Sequence, residues 1–564
     1  MDIKKRRVLI LGGWGLVGTA ILRKLAVYKP KEVIILSLKK SEALEACQLM
    51  KNEFPNISYT PEWGNIFVRE SQKDLSRTEL LENPDQRKQL MQDTMESFNT
   101  DKLDASFLNQ VIARNKPHII IDTVNTATAL AYQDLYNGYY NLKKEMESES
   151  GSKDKLFSEV EKMLTTLYTP QIIRHIQILH SSMVENGTGV YIKIGTTGTG
   201  GMGLNIPYTH SEEKPSRVLL SKSSLAGAHT MLLFLMGRTP DGPIVKEIKP
   251  AAAIAWKGIQ YGEISKHGQP IHLYDCKIDH ALELSTSFNY SSNKTWEPLN
   301  DTLKSVFIDT GENGIFSQGE FETITSAGQM EFVTPEEIAS NVILEILGDS
   351  TGHDILNALD NSIMGPTYRA GYMRHHALDE MKRLQKEHNV ESIAFEMLGP
   401  PRLSKILHEA NILKKVCGDL RCVLTRGPKI LSEQAENMIQ NNLELRSQII
   451  SIGIPILLAD GKRLLRGPEV KIPTQLGRNS ISMDDDNIND WSYAGWVDLR
   501  ENNMKIWQNR IEKILSYIDS IKKEDTSSLH HHGVQYWNVD HPMNIGKVAA
   551  WIFINEDKGL RVKR

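Results

Sequence analysis

Apolar residues in the first half of the chain fall in short, β-branched runs separated by longer stretches of helical period. Val8-Leu9-Ile10-Leu11, Val33-Ile34-Ile35-Leu36, Ile57-Ser58-Tyr59, Ile119-Ile120-Ile121, Val190-Tyr191-Ile192-Lys193-Ile194 and Ile244-Val245-Lys246-Glu247-Ile248 read as six strands. Runs this apolar, with little polar alternation, suit strands covered on both faces. Their alternation with helical segments predicts a doubly wound parallel sheet with right-handed crossovers. After the first run, Val17, Ile21 and Leu25 share one face of a helix.

The alternation stops near residue 265. Thr334, Pro335 and Glu337 form a helix start, with Thr334 as N-cap and Pro335 at the first helical position. From about residue 366 the pattern is mostly helical. It includes one hairpin, Ile454 to Arg466, turning at Asp460-Gly461, and a long helix from Leu499 to Ile521. Val548 to Ile554 reads as a last strand. The division is then 1–265, a substrate-side insertion at 266–329, a stretch 330–365 packing back on the first region, and a mostly helical α+β region at 366–564. The polar stretch Lys143 to Lys153 reads as a solvated helix end and loop.

At 564 residues the chain needs more than one core. Its 66 basic and 70 acidic residues leave a net charge of -4, which gives neither a nucleic-acid footprint nor an acidic tail. No apolar run is long enough to span a bilayer and no signal-peptide pattern opens the chain. Four cysteines, Cys47, Cys276, Cys417 and Cys422, point to a reducing compartment, so the expectation is a cytoplasmic protein without disulfides. The run His530-His531-His532 with His541 lacks the spacing of a catalytic metal site, and no metal is expected.

The chemistry concentrates at the start. Gly12-Gly13-Trp14-Gly15-Leu16-Val17-Gly18 lies between the first strand and its helix. A glycine run in that context allows a tight turn, close approach of backbone to a pyrophosphate, and close helix–strand packing. The second strand ends in Ser37-Leu38-Lys39-Lys40. With no carboxylate there to hold the ribose hydroxyls, Ser37, Lys39 and Lys40 favour the phosphate of NADP, with NAD as the alternative.

The spacing Gly12-x-x-Gly15-x-x-Gly18 resembles that of the extended short-chain dehydrogenase/reductase superfamily. The resemblance covers residues 6–265 and a patch near 330–350, not the last two hundred residues. It implies a Rossmann domain in which Gly64-Asn65-Ile66 contacts adenine, with Asn in place of the usual Asp. It also implies that Asp122 to Ala127, with Asn125, meets the cofactor at the end of the fourth strand. The superfamily's catalytic set is a Ser or Thr and a Tyr-x-x-x-Lys pair. Thr196 and Thr197 occupy the place of the first. The pair is split: four before Lys222 is Val218, and four after Tyr208 is Glu212. Either Tyr208 carries proton transfer from its loop while Lys222 holds the ribose, with His210 as a second acid or base in the same loop, or the standard chemistry is absent.

The expected function is an NAD(P)-dependent oxidoreductase acting on a carbonyl or hydroxyl group of a small molecule. An epimerase or dehydratase with a retained nicotinamide, and a non-catalytic dinucleotide-binding protein, are the alternatives. The expected partners are a small-molecule substrate and a second copy of the chain. Gly365 to Gly371 and Gly399 to Lys405, each with an arginine beside a helix start, are candidate anion-binding turns.

Overall fold

The computed structural model describes all residues except 132, 134, 149–151, 196–216, 251–252, 267, 285–286, 291–294, 312–313, 327–332, 350–362, 365–367, 398–400, 475–478, 523–533, 538–541 and 557–564. The chain divides into two compact units. The first holds residues 1–201, 215–255 and 332–370, and the second holds 202–214, 256–331 and 371–564.

The first unit is built on β1 (Arg7–Leu11), α1 (Leu16–Ala26), β2 (Glu32–Ser37), α2 (Lys40–Glu53), β3 (Ser58–Trp63), α3 (Phe107–Asn115), β4 (Ile119–Asp122), α4 (Thr126–Ala131), α5 (Tyr168–Glu185), β5 (Val190–Ile194), α6 (Arg217–Gly237) and β6 (Ile244–Pro250). The six strands run in the order β3-β2-β1-β4-β5-β6, and a short strand Ile363–Met364 pairs with β6 at the far edge. Every pairing in this sheet is parallel. This is the order of a dinucleotide-binding sheet, whose chain reverses direction between β1 and β4.

Apolar residues fill both faces because each strand is apolar at successive positions. On one face Val8, Ile10, Val33, Ile35, Ile121 and Ile192 meet Ile21 and Leu25 of α1 and Ile338, Val342 and Ile346 of the helix Pro335–Leu347. On the other, Leu9, Leu11, Ile34 and Ile120 meet Phe107 and Val111 of α3, Leu179 and Met183 of α5, and Leu233 of α6. The helix Pro335–Leu347 begins with the expected capping box: Thr334 accepts from the Glu337 amide and Glu337 accepts in return.

In the second unit Ile264, Phe307, Phe395, Ile412, Ala435, Ile449 and Val497 share a core. The predicted hairpin is present as Ile456–Leu457 against Arg463–Leu465, and the long helix spans Glu501–Ser520. The segment predicted as a final strand is a helix, Ile545–Asn555. Asn544 caps it by accepting from the Lys547 amide at 2.9 Å. Val548, Ala549, Ile552 and Phe553 are all buried, so the apolar run reflects burial around the helix rather than strand burial on two faces. All four cysteines are free. No helix among the described residues is long and apolar enough to cross a membrane.

Candidate functional site

The glycine turn explains its own sequence. Gly12 has φ +81°, and a Cβ there would stand 2.6 Å from Thr123 Oγ1. That hydroxyl donates to the carbonyls of Leu11 (2.8 Å) and Gly12 (3.0 Å), tying the turn to the end of β4. The amides of Gly12 and Gly13 both donate to the Leu36 carbonyl, and a Cβ on Gly13 would meet Ile35 Cγ2 at 2.6 Å. A Cβ on Gly18 would stand 2.5 Å from the Gly12 carbonyl oxygen and 2.9 Å from Gly13 Cα, so α1 presses directly on the turn.

Gly15 differs. It is exposed, caps α1 without a side-chain bond, and a Cβ there would meet only the Gly12 oxygen, at 3.5 Å. The first intrahelical bond is Thr19 N to Gly15 O at 2.8 Å, so the amides of Leu16, Val17 and Gly18 have no acceptor within the helix. The protein's own packing requires Gly12, Gly13 and Gly18, while Gly15 keeps the outer side open before a positive helix end. These residues fit a dinucleotide pyrophosphate. Trp14 packs against the apolar cluster on the α1 face.

At the end of β2, Ser37 is buried and its Oγ has no hydrogen-bond partner among the described residues. Lys39 and Lys40 are exposed, with the Lys40 ammonium 4.8 Å above the Trp63 ring. Gly64 (φ +138°) donates to the Ser37 carbonyl at 3.1 Å. Asn65 Oδ1 accepts from the Phe67 amide at 3.0 Å, so its carbonyl end holds its own turn, and Ile66 is buried behind it. Asn125 likewise spends its Oδ1 on the Thr128 amide at 3.1 Å, at the start of α4.

Sequence reading missed a row of polar side chains across the C-terminal ends of β4, β5 and β6. Asp122, Lys193 and Glu247 are register partners on adjacent strands. The buried Lys193 ammonium lies 2.9 Å from Asp122 Oδ2 and donates to the Val124 carbonyl (2.6 Å) and the Thr126 hydroxyl (3.1 Å). Tyr191 Oη donates to Asp122 Oδ2 at 2.7 Å, and Asp122 Oδ1 accepts from the Val124 amide at 2.9 Å. Burial beside that carboxylate pushes the Tyr191 phenol far up. Thr230 of α6 donates to Glu247 at 3.3 Å. The β4–α4 turn carrying Asn125 is therefore bolted to β1 through Thr123 and to β5 through Lys193. The available signal was one lysine inside an apolar strand, and one aspartate closing another.

Two histidines face this row, His175 on α5 and His229 on α6, with rings 6.5 Å apart. Both are buried, and neither Nε2 has a hydrogen-bond partner among the described residues. Burial pushes His175 down to about 4, opposed by Asp122 and aided by Lys193. Burial, then Lys193, holds His229 well below the usual range. A folded state that refuses protons the unfolded chain accepts is destabilised at low pH. Stability of the first unit should hold above about pH 6.5 and decline as pH falls toward 4, by about 1.4 kcal/mol per pH unit for each histidine. Urea midpoints between pH 7 and 4.5 check this. His175→Leu should flatten the decline, and an unchanged slope contradicts the assignment.

Of the expected catalytic residues, Thr196, Thr197, Tyr208 and His210 lie outside the described residues. Lys222 sits on α6 and is buried at 5% exposure. The run His530 to His532 and His541 also lie outside the described residues. Among those described, no group of three or more His, Cys, Asp or Glu is placed to hold a metal. Of the two candidate anion turns, Arg369 is exposed. Arg402 instead turns into the second unit's core, where its guanidinium lies 3.8 Å over the Tyr493 ring and donates to the Tyr493 carbonyl at 3.2 Å.

Residues 273–557 match the family model described as the beta-methylindole-3-pyruvate reductase C-terminal domain. No curated protein matches the sequence. Among solved structures, a double mutant of a Serratia marcescens short-chain dehydrogenase/reductase is 11% identical over 64% of this chain and 98% of its own, with a TM-score of 0.30. A 3-oxoacyl (acyl-carrier-protein) reductase from Agrobacterium tumefaciens C58 with NADP bound is 13% identical over 44% and 70%, with a TM-score of 0.24. L-sorbose reductase from Gluconobacter frateurii, complexed with NADPH and L-sorbose, is 12% identical over 45% and 73%, with a TM-score of 0.23.

Proposed function

The chain belongs to the family of the beta-methylindole-3-pyruvate reductase C-terminal domain, with a short-chain-dehydrogenase-like Rossmann unit ahead of it, and on that premise we propose that it is a nicotinamide-dependent carbonyl reductase. Its substrate class is a 2-oxo acid with an aromatic side chain, following the reaction in the family's name. The observation that carries the reading is the glycine turn: three glycines demanded by packing, and a fourth left open in front of unbonded helix amides.

Gly15, Leu16 and Val17 would hold the pyrophosphate, and Ser37, Lys39 and Lys40 the adenosine side. A bound reduced nicotinamide would supply a hydride to the carbonyl carbon. The protein's part is to hold the β4–α4 turn rigid through Thr123 and Lys193, and to deliver a proton to the carbonyl oxygen. Thr196, Thr197, Tyr208 and Lys222 are the proposed proton-transfer and substrate-orienting set.

The test is oxidation of NADPH by the purified chain with indole-3-pyruvate and with an aliphatic 2-oxo acid of similar size. The reading expects turnover that favours the aromatic acid and falls at least tenfold in Tyr208→Phe. Turnover unchanged by both Tyr208→Phe and Lys222→Ala would remove these residues from the mechanism, and no turnover with either acid would remove the substrate class.

Cofactor choice has its own test. Lys39→Ala with Lys40→Ala should weaken NADPH by about tenfold or more while NADH changes little, because only the former carries a 2′-phosphate on the adenosine ribose for the lysines to meet. Equal losses for the two cofactors would show that the lysines do not read the phosphate.

A further inference from the structure

The second unit contains a polar cluster that the reductase reading does not use. Glu396 is a non-glycine residue at φ +61° and is 4% exposed. Such a conformation costs about 1–3 kcal/mol and persists only where the surroundings enforce it. Here the buried Glu320 carboxylate enforces it. It accepts from the amides of Phe395 (3.1 Å), Glu396 (3.0 Å), Met397 (3.4 Å) and Ser317 (2.9 Å).

Three further segments bring polar groups to the strained residue. Ser404 donates to Glu396 Oε2 at 2.5 Å, and the Lys471 ammonium lies 4.0 Å from Glu396 Oε1. Lys266 donates to the Glu396 backbone carbonyl at 3.0 Å, and the Lys471 ammonium stands beside its own. A further charged neighbour among the described residues is Glu469, whose side chain is 64% exposed and 3.9 Å from Lys471.

Two ammonium groups side by side repel, and one buried carboxylate balances only one of them. Burial pushes the Glu396 carboxyl up to about 7, with the two lysines opposing and Glu320 adding to the shift. Burial, then Lys471, pushes Lys266 down to about 8. When Glu396 takes a proton, both ammonium groups lose their buried counter-charge, and an external anion can take its place.

We propose that Lys266, Lys471, Ser404 and Glu396 form a proton-coupled binding site for a small oxyanion, either a carboxylate or a phosphate group. The anion meets the two lysines as Glu396 accepts a proton and gives up its charge. The linkage fixes the sign: anion binding favours protonated Glu396, so affinity is highest below pH 7 and falls as pH rises. This site is separate from the glycine turn, and its test is independent of reductase activity.

Calorimetric titration of the full chain with acetate at pH 6 and pH 8, and with inorganic phosphate at pH 6, decides it. The expected result is saturable binding that weakens about tenfold for acetate between the two pH values. The tighter of acetate and phosphate at pH 6 identifies the ligand chemistry. Lys266→Met and Lys471→Met should each remove the binding. Glu396→Gln should keep it and abolish its pH dependence, which covers the case in which a lysine variant fails to fold. Absence of saturable binding for both ligands overturns the proposal. So does binding unchanged in Lys266→Met, or a pH dependence that survives in Glu396→Gln.

Discussion

Lys193→Ala is expected to destabilise the first unit by about 3–5 kcal/mol, because it leaves the Asp122 carboxylate buried without its counter-charge. Asp122 is 0% exposed, and its pair partner on β5 also holds the Val124 carbonyl and the Thr126 hydroxyl. The loss therefore reaches the turn that carries Asn125 as well as the ion pair. Urea unfolding of the full chain should show the transition of the first unit moved far down, with that of the second unit in place. Pairing Lys193→Met with Asp122→Leu should recover only part of the loss: it removes the unpaired buried charge, but leaves the Tyr191 hydroxyl and the Val124 amide without their acceptor. A single variant within about 1 kcal/mol of the parent would show that the pair does not organise this end of the sheet.

Gly18→Ala carries the second large effect. The added carbon would stand 2.5 Å from one backbone oxygen and 2.9 Å from a backbone carbon, neither of which can swing aside. The turn itself must shift, and the first-turn amides of α1 shift with it. Cofactor affinity should fall on the order of 100-fold, about 2.8 kcal/mol. Gly227→Ala is the matched control: its added carbon has nothing within 4 Å, and it sits in α6, where alanine is the better helix former. Equal cofactor binding in Gly18→Ala and Gly227→Ala would contradict the role given to the turn.

The glycine turn was legible in the sequence because its requirements are local. A strand, four glycines and a helix face lie within one short segment, which is enough to mark the turn, although the neighbours that exclude a side chain at Gly12 and Gly13, Thr123 and Ile35, come from elsewhere in the chain. The parallel sheet was legible for a related reason, since its strands are apolar at successive positions. Ile545–Asn555 was misread because a helix buried on all sides loses its period and looks like a two-sided strand. Asn544, which caps it, was the available cue. The Asp122–Lys193 pair escaped because its two members sit on strands far apart in the chain, where each alone reads as an irregularity. Lys266, Glu396, Ser404 and Lys471 were illegible for the same reason, carried further: four segments meet there, and no one of them marks the site.

If the N-terminal turn holds the pyrophosphate of a nicotinamide dinucleotide, as proposed, its hydride should reach a 2-oxo acid. Deuterium placed on the transferable position of NADPH follows that transfer, with indole-3-pyruvate as acceptor and mass spectrometry of the product. One deuterium is expected on the carbon that was the carbonyl, with a 2-hydroxy acid as the only product that carries it. Unlabelled product, or bound NADPH that never transfers its deuterium to any 2-oxo acid, would contradict it.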